Sequence, residues 1–196
     1  MTFLVTQIPE MERLYGIPDN LSITVPADQV EVDRIKRSMK RGRAHDITLY
    51  IRKDDGFIFI AKPFYPQGLF RAPSGGVHPG ESFIDGAKRE ALEETGVEIE
   101  LERFILKIEV RFQSTADHVD WTSHIFEARY ISGDIIPQDT FEISAARWVH
   151  PGEIPIFRNL MLQSENAGLR YRAFLTDESM RRLAPAGSAF RPKDER

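Results

Sequence analysis

The chain has 196 residues, of which 41% are hydrophobic and 29% charged, and a formal net charge of −4, as in an ordinary soluble globular domain. This acidic balance excludes a global basic field that would gather nucleic acid, and the absence of cysteine excludes disulfides, thiolate metal sites and a cysteine nucleophile. No apolar run reaches the ~18 residues of a membrane span, and the first residues lack the basic start of a secretion signal, so we expect a cytoplasmic protein with no nucleic-acid or membrane partner.

The first 44 residues are predicted to form an N-terminal extension that is partly helical. Asp28 is a typical helix N-cap, and Val30, Ile35 and Met39 are the predicted buried positions of the helix that follows. A basic cluster lies at the end of this helix: Arg34, Lys36, Arg37, Lys40, Arg41 and Arg43. Such a cluster is usually a solvated helix face, which the acidic balance favours, and the alternative is a patch that attracts phosphate or a partner.

Residues 45–183 are predicted to form the main domain, and residues 184–196 a flexible tail. The domain begins with a strand from Asp46 whose apolar residues alternate with polar ones, the pattern of a half-buried strand. Further strands are predicted at 57–61, 69–72, 106–112, 119–130 and 145–149, and helices at 82–95 and 151–183. Strands interleaved with few helices predict an α/β fold, in which helices cover both faces of a mixed sheet.

The helix predicted at 82–95 has recognisable ends and one buried face. Ser82 is a plausible N-cap, and Gly96 is placed to end the helix as its left-handed C-terminal cap. Phe83, Ala87 and Ala91 lie four residues apart and form the apolar stripe. The two alanines allow this helix to lie close to a sheet.

Four glutamates are grouped on or beside this helix. Glu90, Glu93 and Glu94 are spaced i, i+3 and i+4, so they cover one narrow face, and Glu81 lies just before the helix. Carboxylates at this spacing repel one another, and a hard divalent cation removes that penalty. Oxygen donors without histidine or cysteine suit Mg²⁺, with Mn²⁺ as a substitute, rather than Zn²⁺. For the three helical glutamates alone, a solvated acidic face is the plainer interpretation.

The neighbours of these glutamates support a cation site. Arg89 lies four residues before Glu93 and can hold that carboxylate in one orientation by a forked hydrogen bond. Gly75, Gly76 and Gly80 allow a tight loop whose backbone approaches a cation and the phosphates of a substrate closely.

The segment from Gly75 to Val97 reads GGVHPGESFIDGAKREALEETGV. It resembles the Nudix box, in which a glycine, five residues, a glutamate and seven residues precede Arg-Glu-U-x-Glu-Glu-x-Gly-U, where U is a bulky aliphatic residue. The positions in register are Gly75, Glu81, Arg89, Glu90, Glu93, Glu94, Gly96 and Val97. Ala91, at the first U position, is smaller than usual, which concerns packing rather than chemistry.

The resemblance implies an α/β/α sandwich with a mixed sheet and a Mg²⁺-dependent hydrolase. Such an enzyme cleaves a phosphoanhydride bond in a nucleoside diphosphate linked to another moiety. Glu93 and Glu94 are then metal ligands, together with a backbone carbonyl of Ser74 or Gly75. Glu90 is either a metal ligand or the base that acts on the attacking water, and Arg89 orients the carboxylates.

Residues around the box complete the predicted site. Glu81 is implied to add a further metal contact, and Glu142 is the candidate for an additional acidic ligand, with Asp139 second. We expect Arg71, and after it Lys62, to bind substrate phosphate, although a surface salt bridge is the more common role of a single cation.

Two aromatic residues, Phe64 and Tyr65, are candidates for stacking on a nucleobase, although core packing is the more common fate of a phenylalanine. The box does not name the substrate, so ADP-ribose, nucleotide sugars and dinucleoside polyphosphates all remain open. Many family members are dimers, so a homodimer is one expectation.

Three other functions compete with the small-molecule hydrolase. A catalytically inactive ligand-binding or regulatory module on the Nudix fold is the main alternative, but such proteins typically lose acids of the box, and this chain keeps all of them. An isopentenyl diphosphate isomerase usually needs a catalytic cysteine, which is absent here. An RNA-processing enzyme fits the basic cluster but not the acidic balance.

Overall fold

A seven-stranded sheet forms the centre of the computed structural model, which describes residues 2–39 and 43–183. The strands are β1 (Asp19–Pro26), β2 (His45–Lys53), β3 (Gly56–Ala61), β4 (Ser74–Gly75), β5 (Glu98–Gln113), β6 (His118–Ser132) and β7 (Ala145–Val149). Their order is β1-β5-β6-β2-β3-β7, and β4 pairs with β2. The pairs β1/β5 and β2/β6 are parallel and the others antiparallel, so the sheet is mixed, as predicted.

Helices cover both faces of this sheet. The five helices are α1 (Thr2–Tyr15), α2 (Gln29–Ser38), α3 (Phe83–Thr95), α4 (Ile154–Leu162) and α5 (Ala167–Leu183). Met11 of α1 and Phe83 of α3 belong to the core on one face, which we call the α3 face. Val32, Phe157 and Leu169 bring α2, α4 and α5 to the core on the other, the α5 face. The predicted α/β/α sandwich is therefore confirmed.

Strand β2 is buried on both sides, so the prediction of a half-buried strand is wrong. Leu49 and Ile51 face the α3 core, while Tyr50 belongs to the α5 core. Thr48, on the same side as Tyr50, is fully buried as well. Strand β2 is buried on both sides because helices pack on both faces of the sheet. The local alternation of apolar and polar residues along β2 does not reveal the second of these helical layers.

The hairpin from β2 to β3 opens after its first residue pairs. Only Arg52 and Lys53 of β2 pair with β3, and further on β4 takes the place of β3 beside β2. The strand predicted at 69–72 is reduced to one bridge between Ile60 and Arg71. This opening places the loop of residues 74–76 next to β2 and in front of α3.

The first 44 residues contain a strand as well as helices. β1 pairs with β5 in parallel from Asp19 to Pro26. Helix α2 begins after Asp28, which forms a capping box with Glu31, so the predicted cap is confirmed. Val30 is 61% exposed and Val32 is buried instead, so that part of the predicted helix face is wrong. Lys40, Arg41 and the predicted tail at 184–196 lie outside the described residues.

Helix α3 has the ends that were predicted from its sequence. The Ser82 hydroxyl accepts a hydrogen bond from Asp85 N, and Gly96 caps the other end with a φ of 82°. Phe83, Ala87 and Ala91 are fully buried on the α3 face. None of the helices in the described part of the chain has the length and apolar character needed to cross a membrane.

Candidate active site

The loop at residues 74–76 and helix α3 hold two of the box glutamates between them. Ser74 N donates a hydrogen bond to Glu94 Oε2 at 2.7 Å, and Gly76 N donates to Glu90 Oε1 at 3.0 Å. A Cβ atom at Gly75 would overlap the Glu90 carboxylate. Only glycine therefore allows the loop to approach the helix this closely.

Arg89 connects the remaining acids of the box. Its Nε and Nη2 donate to the two carboxylate oxygens of Glu81 at 2.8 and 3.0 Å, and its Nη1 lies 2.9 Å from both Glu90 Oε1 and Glu93 Oε2. Nη2 also donates to the carbonyl oxygen of Gly76 at 2.8 Å. The predicted contact between Arg89 and Glu93 is present as a single hydrogen bond, while the forked pair that was predicted for it joins Arg89 to Glu81. The hydrogen bond from Arg89 is the main reason why the pKa of Glu81 lies below its ordinary value.

Glu94 is the buried acid of the site. It is 5% exposed, and burial raises the pKa of its carboxyl group, while Arg71 and Lys62 act in the opposite direction. The negative charge of Glu90 adds to the rise, so the two carboxylates lie within electrostatic range of each other. Lys62 Nζ lies 3.5 Å from Glu94 Oε1. A carboxylate in this position gains from a cation placed beside it.

The donor set fits a hard divalent cation. Glu90 and Glu94 meet the same loop, the side chain of Glu93 is 44% exposed on the same helix, and the loop adds backbone carbonyl oxygens. Oxygen ligands of this kind suit Mg²⁺ or Mn²⁺. Among the described residues, no three acidic or histidine side chains already form a metal-holding group. The carboxylate oxygens are instead occupied by Arg89 and by the N–H groups of the loop.

The structure brings Glu142 close to this site, and the backbone N–H of Asp139 donates to Glu93 O at 2.9 Å. Lys62 Nζ lies 2.9 Å from Glu142 Oε2 as well as near Glu94, so one lysine joins the two acids. The side chain of Glu142 is 65% exposed. Asp139 Oδ1 accepts hydrogen bonds from the backbone N–H groups of Phe141 and Glu142.

Arg71, which we expected to bind phosphate, lies beneath the loop and is only 5% exposed. Its Nη1 donates to Ala72 O and to Ser74 Oγ, and its Nε donates to Tyr65 Oη at 2.7 Å. The prediction is corrected accordingly, because a buried guanidinium that binds the loop from below supports the site rather than facing a substrate.

A second arginine, Arg172 of α5, reaches the same loop. Its Nη2 donates to Ser74 Oγ at 2.9 Å and forms an ion pair with Asp46, and its Nη1 donates to Thr48 Oγ1 at 2.8 Å. Burial would raise the pKa of Asp46, but Arg172 and neighbouring donors outweigh it, and the pKa is lowered. Sequence reasoning missed this network because no local pattern relates Arg172 to residues about a hundred positions earlier.

The two aromatic candidates differ in their surroundings. Phe64 is 73% exposed and meets the ring of Tyr65 edge to face at a centroid distance of 5.2 Å. Burial raises the pKa of Tyr65, but the guanidinium of Arg71 outweighs this effect and the pKa is lowered. Tyr65 is half-buried and its hydroxyl oxygen accepts a hydrogen bond from Arg71, so Phe64 is the more exposed of the two rings.

Comparison with known proteins places this site in a family. The family model described as the NUDIX domain matches residues 42–170, which is more than half of the chain. An RNA pyrophosphohydrolase from Erythrobacter litoralis (strain HTCC2594) is 30% identical over 118 residues, covering 52% of this chain and 72% of the relative.

A NAD-capped RNA hydrolase NudC from Pseudomonas syringae pv. syringae (strain B728a) is 32% identical over 105 residues, covering 54% of this chain and 35% of the relative. The chain thus spans about a third of the length of this relative. Among solved structures, a NUDIX hydrolase from Nitrosomonas europaea has 20% identity and a TM-score of 0.48, and the match covers 69% of this chain and 90% of that one. Because the family model matches residues 42–170 and all four acids of the box are present at the site, the protein belongs to the NUDIX hydrolase family.

Proposed function

We propose that this protein is a hydrolase that depends on a divalent cation and cleaves a phosphoanhydride bond of a nucleotide-type substrate. The observation that carries the proposal is the arrangement of Glu90 and Glu94 against the loop at residues 74–76, with Arg89 holding Glu93 and Glu81 beside them. Family members generally use a divalent metal. All box acids are present, which supports catalysis over an inactive binding module.

Three groups would hold the cation: Glu93, Glu94 and a backbone carbonyl of Ser74 or Gly75. Mg²⁺, or Mn²⁺ in its place, offsets the charge of the diphosphate and lowers the pKa of bound water when it is present. Glu81 is tied to Arg89 through both of its oxygens, so we assign it first to positioning and only then to a metal contact.

Each remaining residue has a task that its contacts suggest. Glu90 accepts the proton of the attacking water, and the hydrogen bonds from Arg89 and Gly76 N keep its carboxylate in place for this. Lys62 lies between Glu94 and Glu142 and contributes positive charge near the substrate phosphates. Glu142 is a further acidic ligand, and Phe64 offers an exposed ring to a nucleobase.

The substrate class is a nucleoside diphosphate linked to a second moiety, such as ADP-ribose, a nucleotide sugar or a dinucleoside polyphosphate. Two relatives are named for RNA ends, a NAD-capped RNA hydrolase and an RNA pyrophosphohydrolase. The acidic net charge of −4 favours small molecules over RNA for this chain. NAD-capped and 5′-triphosphorylated RNA therefore belong in the test as competing substrates.

The test is product release from a panel of these compounds, NADH and oxidised deoxynucleoside triphosphates, with Mg²⁺, with Mn²⁺ and with a chelator. The variant Glu93→Gln, Glu94→Gln removes two proposed ligands, and Glu165→Gln, at an exposed loop position, is the matched control. We expect turnover that needs the cation, is lost in the double variant and persists in the control.

Three results would overturn the proposal. Turnover that persists in the chelator, or that survives in the double variant, contradicts a cation held by these glutamates. Tight binding of one compound by the wild-type protein, without turnover of any of them, moves the inactive binding module to first place.

A further inference from the structure

Arg43, the last residue of the basic cluster, lies against the loop that carries the box glycines. A Cβ atom at Gly76 would overlap Arg43 Nη1 and would lie 2.7 Å from Arg43 Cζ. The guanidinium therefore packs directly on the glycine whose N–H donates to Glu90 and whose carbonyl oxygen accepts from Arg89. This position is outside the box and precedes β2.

Arg43 differs from the other arginines around the loop because no acceptor for its guanidinium lies among residues 2–39 and 43–183. Arg71, Arg89 and Arg172 all donate to carboxylates, hydroxyls or carbonyl oxygens. Within residues 2–39 and 43–183, Arg43 Nε is a buried donor that has no hydrogen-bond partner. The nearest acid along the chain, Asp46, forms its ion pair with Arg172.

A buried donor without a partner is unfavourable, so the arrangement calls for an acceptor that arrives from outside. The planar fork of a guanidinium matches the oxygens of a phosphate group. Under the proposed function, the diphosphate of the substrate binds beside the neighbouring loop, because that loop contacts the proposed acidic residues Glu90 and Glu94. A phosphate oxygen beside Gly76 would satisfy Arg43 and bring a negative charge to an unpaired positive one.

We propose that Arg43 binds a phosphate group of the substrate and is a binding residue contributed from outside the box. This inference rests on the proposed function for the identity of the substrate. The other members of the basic cluster on α2 do not share the role, since Arg34, Lys36 and Arg37 are exposed and Lys36 pairs with Asp117.

The test compares Arg43→Gln and Arg43→Lys with Arg37→Gln, a matched control on the exposed side of α2. Two quantities are measured: KM and kcat on the best substrate of the panel, and calorimetric binding of methylenediphosphonate, which cannot be hydrolysed, in the presence of Mg²⁺. We expect Arg43→Gln to raise KM and the Kd of the analogue by about tenfold or more, the effect of losing a charged hydrogen bond. The effect on kcat should be smaller, and lysine should restore part of the binding.

Unchanged KM and Kd in Arg43→Gln relative to the control would overturn the inference. If Arg43→Gln fails to fold, the lysine variant decides the question. Wild-type affinity of Arg43→Lys for the analogue contradicts recognition by the guanidinium fork. An affinity between those of the wild type and a protein without the fork supports it. Failure of the proposed function has a different signature. In that case no compound is turned over by the wild-type protein, although the analogue still binds more weakly to Arg43→Gln.

Discussion

Arg89 shows how one side chain makes the acidic cluster compatible with a stable helix. Three glutamates within five residues destabilise a helix by repulsion when they stand alone. In this site one guanidinium donates to Glu81, Glu90 and Glu93 at 2.8 to 3.0 Å. The acids are therefore held in place before any cation binds, which is the preorganisation that an active site needs.

His124 is a buried histidine that leads to a prediction about pH. It is 5% exposed on β6, between the rings of Phe83 and Phe104, and burial lowers its pKa to about 4. The unfolded chain binds a proton at this residue near pH 6.5, so acid favours the unfolded state. We expect about 2 kcal/mol of stability to be lost through His124 between pH 7 and pH 5.

Urea unfolding at the two pH values measures this loss. His124→Phe removes the titrating group and keeps a ring among aromatic neighbours, so its stability should fall less on acidification than that of the wild type. Thr115→Ala, at an exposed position just before the same strand, removes no titrating group and should keep the wild-type pH dependence. Equal losses in the wild type and in His124→Phe would contradict the prediction.

At the scale of elements, α1 acts as a cap for α3. The side-chain oxygen of Gln7 accepts a hydrogen bond from Phe83 N at 2.6 Å, and its amide group lies 3.4 Å from Glu81 O. Phe83 N is one of the N–H groups at the start of α3 that have no partner within the helix. A residue from a distant helix thus completes the N-terminus of the helix that carries the box.

Gln7→Ala should destabilise the protein by about 1 kcal/mol, as does the loss of a helix cap. For a chain of this length, that corresponds to a fall in Tm of about 2–4 °C. Gln67→Ala, at an exposed loop position, should leave Tm unchanged in the same calorimetric scan. A Tm for Gln7→Ala that matches the control would show that α1 does not stabilise α3 through this contact.

Helix α5 supports the loop from the other face of the sheet, through Arg172. Replacing Arg172 with methionine leaves the carboxylate of Asp46 buried without its partner, and the expected destabilisation is about 3–5 kcal/mol. The double variant Arg172→Met, Asp46→Asn should be more stable than the sum of the single effects predicts, by about 1 kcal/mol or more. Denaturant midpoints of the four proteins measure this coupling, and strict additivity would exclude a direct ion pair as the source of stability.

Local rules were enough for α3 but not for the residues that surround it. The caps at Ser82 and Gly96, the buried alanine stripe and the contact between Arg89 and Glu93 all depend on positions within a few residues of one another. Arg71 was assigned to phosphate because its position just before the loop does not reveal that it is buried beneath that loop, where it donates to Ala72 O and Ser74 Oγ. The contact of Arg172 with the loop at residues 74–76 could be found only from the position of α5 on the sheet.

Strand β1 was missed for a related reason. Leu21, Ile23 and Val25 alternate along it as in a strand, but its partner β5 begins more than seventy residues later. A short apolar alternation without a neighbouring turn is a weak signal by itself. The first 44 residues were therefore predicted to be an extension, although they supply an edge of the sheet.

At the scale of the whole molecule, the N-terminal segment is attached to the rest through its strand and through both of its helices. β1 pairs with β5 along its length, Gln7 caps α3, and Glu31 accepts a hydrogen bond from Ala167 N at the start of α5. Met11, Val25 and Val32 are buried in the two cores. The segment thus contacts both helical layers and the sheet.

A chain that begins at residue 45 should therefore be markedly less stable than the full chain. Burial of Met11, Val25 and Val32 contributes about 1.5–3 kcal/mol each, which is a large share of the 5–15 kcal/mol that stabilises a typical domain. Loss of β1 also uncovers the backbone edge of β5, so the shortened protein should aggregate. A chain that begins at residue 17 keeps β1 and α2 and should lose less. Guanidinium unfolding and light scattering of the three chains test this order of stability. If the unfolding midpoint of the chain from residue 45 equals that of the full chain, the first 44 residues are an independent extension.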